Sequence, residues 1–248
     1  MDKSLYIAMT GASQNMKAQQ ANANNLANVN THGFKQDFTQ ARSMPVYGEH
    51  YPSRVYAMTE RPGTDFSAGP MNQTGRDLDV AIQGDGFLAV QSADGEEAYT
   101  RNGELQIDVN GILRNSAGLP VLGNGGPVAI PPADRVSIGT DGTVSVVPAG
   151  GPPDQLLEID RLKLVNADRD TIEKGSDGLI RPKDPEQGVL QADAGVRLAS
   201  GYLEGSNVNA VSAMIQTLEL SRQYEMSVKA MQNADENSQA VARILQDL

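Results

Sequence analysis

Asn22 to Phe34 reads NANNLANVNTHGF, with five asparagines among positions 22–30. Between Ser4 and Phe34 the only Asp, Glu, Lys or Arg is Lys17, so the i, i+4 ion pairs that support an exposed helix are absent. Nevertheless Leu5, Met9, Ala12, Met16, Gln19, Ala23, Leu26 and Asn30 follow at alternating spacings of four and three, the seam of a helix laid along another helix. Each interior Asn is about 0.6 kcal/mol poorer than Ala, so the five together cost an isolated helix roughly 3 kcal/mol. The expectation is a helix with protein on several sides and its amides bonded to specific neighbours, because unpaired buried amides are expensive. The competing reading is a polar, frayed helix on an ordinary globular domain.

The far end of the chain favours the first reading. Leu220, Tyr224, Ser227, Met231, Ala234, Ser238, Val241, Leu245 and Leu248 repeat the same spacing, Ala210, Ala213 and Thr217 extend it upstream, and Val211, Met214, Ile215 and Leu218 form a second stripe expected to widen the face. With Ser206 as the N-cap candidate the helix runs about 42 residues, or roughly 60 Å. A domain of this size needs nothing so long. The two seams are suited to pair with each other as an antiparallel coiled coil. Ala12, Gln19, Asn30, Ser227 and Ser238 make a thin core for two helices, so further copies are expected alongside.

Glycine and proline set these ends apart from the middle: 21 of 25 glycines fall between Gly63 and Gly201, and all 13 prolines between Pro45 and Pro185. Residues 35–75 show little period, and Pro45, Pro52, Pro62 and Pro70 favour extended chain, an ordered linker whose short strands lean on the helices. Thereafter come short β-branched runs: Leu78–Ile82, Phe87–Gln91, Leu105–Val109, Pro127–Ile130, Val136–Ile138, Val144–Val147 and Leu162–Val165. Asp85-Gly86, Asp94-Gly95, Asn102-Gly103, Asn110-Gly111, Asp141-Gly142 and Asp177-Gly178 supply the positive φ angles of tight turns between strands. The fold class is α+β: paired terminal helices and an antiparallel all-β middle, with Leu78, Val80 and Ile82 facing inward and the opposite face wet. The expected divisions are 1–34 and 203–248 for the helices, 35–75 for the linker and 76–202 for the β domain.

Composition narrows the function. The net charge of −11 is distributed as +1 over residues 1–40, −9 over 41–202 and −3 over 203–248, which argues against a nucleic-acid partner. There is no cysteine, hence no disulfide or thiolate chemistry. No run reaches the length of a membrane helix, and Leu5 to Met9 is too short for a signal peptide, so the chain is expected to be cytoplasmic or exported by a route that reads an uncleaved end.

Neither His32 nor His50 sits in a metal or nucleophile–base spacing. Gly84-Asp85-Gly86 resembles part of a dinucleotide loop, but Phe87–Gln91 continues as strand where a phosphate-binding helix is required. Asp108-Val109-Asn110-Gly111 lacks the further ligands of a calcium loop and reads as a hairpin turn. Asp168, Asp170, Glu173 and Asp177, interspersed with Arg169 and Lys174, read as solvated surface. No catalytic, cofactor or metal site is expected.

Ala23-Asn24-Asn25-Leu26-Ala27-Asn28, followed by Thr31, Gly33, Phe34 and Lys35, resembles the N-terminal signature of the bacterial flagellar rod and hook proteins. Ser206-Asn207-Val208-Asn209, Met214-Ile215, Arg222, Tyr224, Glu225 and Lys229 resemble the family's C-terminal helix, and Asp79-Val80-Ala81-Ile82, Gly84, Gly86-Phe87 and Tyr99-Thr100-Arg101-Asn102-Gly103 give a third match. Modest length, no long insertion after Lys35 and the run Asp160-Arg161-Leu162-Lys163-Leu164 look most like the proximal-rod branch, with the distal rod as nearest competitor.

The resemblance implies an axial subunit exported through the flagellar type III apparatus without a cleaved signal, assembling with other rod proteins and copies of itself into a tubular drive shaft between the inner membrane and the outer rings. It implies no membrane insertion. The assembly interface is then expected at Asn24, Asn25, Leu26, Asn28, Thr31, Gly33, Phe34, Asn207, Val208, Asn209, Met214, Ile215, Leu218, Tyr224 and Met231. An enzyme with helical arms and a closed coiled-coil oligomer with a β ligand-binding head remain as other classes.

Overall fold

The uncharged N-terminal stretch is helical, forming α1 (Lys3–Ala27), in a computed structural model that describes residues 3–39, 41–45, 55–59, 63–150, 152, 155–184 and 188–246. His50, Pro52, Pro62, Pro185 and Leu248, named above, lie outside the described residues. The chain divides into a helical unit (Met1–Val29, Gln36–Asp65 and Val208–Leu248) and a β unit (Asn30–Lys35 and Phe66–Asn207).

In the helical unit α1 packs against α2 (Ala210–Gln246), and the order of contacts is antiparallel: Asn22 meets Ala213 and Thr217, while Gly11 lies beside Ser227. The α2 side of the contact follows the expected seam, with Ala213 and Ala234 buried and Thr217, Leu220, Ser227 and Met231 partly so. The α1 side does not. Its inward face is rotated to Ala8, Ala12, Asn15, Gln19, Asn22 and Asn25, leaving Met9 and Met16 exposed. Small residues explain the rotation: they allow the close approach that lets the short Asn22 amide reach the Ala213 carbonyl, whereas a methionine seam would hold the helices apart.

Two further expectations are corrected here. The stripe Val211, Met214, Ile215 and Leu218 does not widen the buried face, being exposed throughout, and beyond Ala234 the seam residues Ser238 and Val241 are exposed as well. Nor does Ser206 cap α2. Asn209 does, its Oδ1 accepting from the Val211 and Ser212 N–H groups at 3.0 and 3.1 Å, while Ser206 is buried upstream of the helix. Around the helices, Asp37–Phe38 pairs with Gly63–Thr64, and Ala41–Pro45 pairs with Val55–Thr59, the latter strand packing against α1.

The β unit is antiparallel throughout its named pairs. Its largest sheet has the order Leu164–Val165, Phe87–Gln91, Glu97–Thr100, Ile180–Pro182, Ile172–Lys174. A three-stranded sheet joins Ala133–Ile138, Thr143–Pro148 and Leu157–Arg161. Arg197–Ser200 pairs with Val80–Gln83, and Tyr202–Glu204 with Met71–Gln73.

The expected wet face is absent from the central strands. Val80, Ala81 and Ile82 are all buried, as are Phe87 through Val90, because apolar clusters lie on both sides: Leu88 and Val90 join Leu105, Leu113 and Val128, while Phe87 and Ala89 join Tyr99, Val165 and Ile180. Buried on two faces, such strands read as continuous apolar runs and lose their alternation. Five of the six Asp/Asn-Gly pairs carry positive φ at glycine. Gly103 is the exception, and there the requirement is close approach, since a Cβ would overlap the Val80 carbonyl.

Candidate functional site

The signature residues fall into two groups with different environments. In the helical unit Asn25 is buried and bonded at both ends of its amide: its Nδ2 donates to the Asp37 carbonyl at 2.8 Å and its Oδ1 accepts from the Asp37 N–H at 2.9 Å. Asn22 is buried against α2, its Nδ2 donating to the Ala213 carbonyl at 2.6 Å and to Thr217 Oγ1 at 2.8 Å. At least three of the five amides expected to bond to specific neighbours, Asn22, Asn25 and Asn28, therefore find partners within this chain. Asn24 is exposed, Leu26 and Asn28 are half-buried, and Asn28 Nδ2 folds back to the Asn24 carbonyl.

Val208 is buried just before the Asn209 cap of α2, on which Met231 is half-buried and Tyr224 lies at the exposed margin of the seam. Met214, Ile215 and Leu218 stand together on the outward face with Val211, at 54%, 52%, 62% and 67% exposure. At spacings of three, four and seven residues from Val211 they form one contiguous apolar stripe. Leu5, Tyr6, Ile7, Met9 and Met16 are exposed large apolar side chains of α1. Large exposed apolar stripes of this kind mark contact surfaces.

In the β unit, Thr31, Gly33, Phe34 and Asn207 belong to segments held by a buried ionic cluster. Glu204 Oε1 accepts from Lys35 Nζ at 2.6 Å and from the Gly69 N–H at 3.0 Å, and its Oε2 accepts from Arg101 Nη1 at 2.9 Å. All three charged side chains are at most 3% exposed. Lys35 also donates to the Ser67 carbonyl, and Arg101 donates to the Gly84 carbonyl and lies over the Phe87 ring. Burial alone would raise the Glu204 carboxyl; the charges of Arg101 and Lys35 with the Lys35 and Gly69 donors outweigh it and hold the group below its ordinary value.

The surrounding backbone completes the arrangement. Gly33 N–H donates to the Glu204 carbonyl, Asn207 N–H to the Phe34 carbonyl, and Lys174 Nζ sits 4.1 Å from the centre of the Phe34 ring. Gly33 has φ +70° and backs directly onto the Arg101 peptide, so no side chain fits there. Thr31, exposed, accepts from the Phe34 N–H through its carbonyl.

Lys35 and Arg101 both belong to the family-like motifs, but no feature of those motifs places them together at Glu204. One signal was present. A lysine standing at the end of an otherwise nearly uncharged stretch is a candidate for a buried pair; nothing local marks Glu204 as its partner. Among the described residues no group of three or more His, Cys, Asp or Glu could hold a metal ion, and no helix is long and apolar enough to cross a membrane. The Asp108 turn is a hairpin joining Leu105–Ile107 to Leu113–Asn115, and Phe87–Gln91 is a strand, as the sequence implied.

Flagellar rod and hook models match at three places along this framework. The flagella basal body rod protein model covers residues 5–35, the flagellar hook protein FlgE/F/G D1 domain covers 81–146, and the flagellar basal body rod FlgEFG protein C-terminal model covers 199–244. The flagellar basal-body rod protein FlgF of Escherichia coli K12 is 43% identical over 249 residues, 99% of each chain. FlgF of Salmonella typhimurium LT2 is 41% identical over 99% of each chain. FlgG of Buchnera aphidicola from Schizaphis graminum is 32% identical over 98% of this chain and 100% of its own. The chain belongs to the flagellar basal-body rod protein family and within it is most like FlgF. It is a structural subunit of the rod, located in the flagellar basal body.

Proposed function

We propose that this chain builds the proximal part of the rod by packing its terminal helices, paired as an antiparallel coiled coil, among those of neighbouring subunits, forming a tubular shaft that carries torque from motor to hook and conducts exported subunits. Residues 1–34 and 203–248 are the axial segments, 35–75 the linker and 76–202 the β body. The chain itself travels through the flagellar type III apparatus without losing a leader, and it performs no catalysis.

The observation that carries this reading is the outward stripe Val211, Met214, Ile215 and Leu218 on a helix pair whose own interior is made of Ala, Asn, Thr and Ser. Fully burying a large aliphatic side chain contributes about 1.5–3 kcal/mol, so covering these half-exposed residues is worth on the order of 1 kcal/mol each at every subunit contact. Met214, Ile215 and Leu218 then make the intersubunit contact, with Asn24, Leu26, Asn28, Tyr224 and Met231 at its margins. Asn25, Thr31, Gly33, Phe34, Asn207, Val208 and Asn209 contribute by holding the segments that present it. Electron microscopy of detergent-extracted basal bodies carrying a tagged copy tests the location: density within the proximal rod is expected, and its absence there defeats the reading. Leu218→Asp is expected to abolish incorporation and motility while leaving the β unit folded; normal swimming by that variant counts against the interface.

A further inference from the structure

Three Asn-Gly pairs occur in the chain, beginning at Asn102, Asn110 and Asn124, and all three stand in the β unit. An asparagine followed by glycine is prone to attack on its own side chain, because a glycine nitrogen with no Cβ beside it reaches the preceding amide carbon easily. Two conditions decide whether it does so in a folded chain. The asparagine side chain must be free to turn, and the glycine N–H must be free to react.

Two of the pairs are held. Asn102 Nδ2 donates to Ser116 Oγ at 2.8 Å and its Oδ1 accepts from the Glu104 N–H at 3.1 Å, while Gly103 is pressed against the Val80 carbonyl. At the second pair the Gly111 N–H donates to the Asp108 carbonyl at 3.0 Å, and the Gly111 carbonyl accepts from the Ile130 N–H at 2.7 Å. Asn124 differs from both. It is exposed and lies with Gly125 in the turn joining Leu122–Gly123 to Gly126–Pro127. Among the described residues neither its side chain nor the Gly125 N–H makes a hydrogen bond, and a Cβ placed on Gly125 or Gly126 would meet nothing within 4 Å.

We propose that Asn124 is a self-modifying site, converted by the chain's own backbone and water to aspartate and isoaspartate. The Gly125 nitrogen, its proton taken by hydroxide, attacks Asn124 Cγ; the N–Cγ bond forms, the Cγ–Nδ2 bond breaks, and the nitrogen leaves as ammonia after regaining a proton from water. Water then opens the five-membered imide. Opening at the side-chain carbonyl gives aspartate, and opening at the main-chain carbonyl of residue 124 gives isoaspartate. Either product adds a negative charge to a small cavity that Asn124 lines together with Asp141, Asp193 and Arg161. Isoaspartate also inserts a carbon into the main chain of a tight turn whose strands lead directly to the fully buried Val121 and Val128. The β unit therefore loosens at this hairpin as the chain ages.

Full-length protein incubated at mildly alkaline pH, digested and read peptide by peptide by mass spectrometry tests this, with isoaspartyl methyltransferase labelling to mark the isomer. Asn124 is expected to convert at least about tenfold faster than Asn102 and Asn110, since each of those must first give up hydrogen bonds, and its rate should rise with pH. In denaturant, where only the dipeptide remains, the three rates are expected to converge. Equal rates in the folded chain, or a lead for Asn124 that survives denaturant, overturns the proposal. Asn124→Gln supplies a second measurement: its melting temperature should hold through the incubation while that of the native chain falls, and equal falls in the two count against the site.

Discussion

The two units solve the problem of apolar surface in opposite ways. The β unit places its large side chains inside: Leu88, Leu105, Leu113 and Val90 are essentially inaccessible, and its buried Lys35 and Arg101 share a carboxylate at Glu204. The helical unit inverts this. Its interior is small and amide-rich, while Met16, Val211, Leu218 and Met226 face water. The former buries its large side chains within a single chain, whereas the latter leaves them uncovered, as the proposed packing among neighbouring subunits requires.

The sharpest way to break that contrast is through the β unit's own ion cluster. Glu204→Gln leaves Lys35 and Arg101 buried without a counter-charge and is expected to destabilise the β unit by about 3–5 kcal/mol in denaturant titrations. A loss under 1 kcal/mol would show that the cluster is not what closes the unit. The same residue sets an acid response. Its folded pKa is depressed, so its stabilisation is full above the ordinary value of 4.5 and is lost as the pH falls below that and through the lowered folded value. The unfolding midpoint of the native chain should therefore drop across that interval, and the drop should be smaller in Glu204→Gln.

One residue type sharpens the comparison next. Leu113→Ala, in the β core, is expected to cost about 2–5 kcal/mol of single-chain stability. Leu218→Ala should change it by no more than about 0.5 kcal/mol and yet reduce incorporation into basal bodies. Equal single-chain effects would erase the distinction between the units.

Asn25→Ala comes third. It strands the Asp37 N–H and carbonyl, for an expected loss of about 1–3 kcal/mol confined to the helical unit and read from helix melting. Smallest in free energy but most direct is amide exchange on the dilute protein: Phe87–Gln91 and Thr143–Pro148 should be protected to the level of global unfolding, and α1 much less. Strong protection throughout α1 in a monomer would mean that the helical unit needs no partners.

Much of this was legible residue by residue. Alternating four-three spacing along α2 marked the seam from Ala210 to Ala234, and five of the six Asp-Gly and Asn-Gly pairs marked positive-φ turns. The strands Glu97–Thr100, Leu113–Asn115 and Arg197–Ser200 escaped notice, being short and mixing charge with apolar residues. The rotation of α1 escaped for a different reason. Methionine looks like a core residue in any pattern, and only the partner's surface decides whether two helices pack through large side chains or through alanine, glycine and asparagine. Likewise the three Asn-Gly pairs look alike in any local window, and partners farther along the chain, Ser116 and Ile130, set two of them apart from Asn124.

The sequence by itself determined that the chain has helical ends, a turn-rich antiparallel middle and a flagellar rod signature, since periodicity, glycine placement and charge are properties of neighbouring residues. Only the tertiary structure decided which face of α1 is buried, that Lys35 and Arg101 share Glu204, and that the stripe ending at Leu218 stays uncovered within one chain. Burial and ion pairing depend on how closely distant segments approach, and that distance is not encoded in any stretch taken alone.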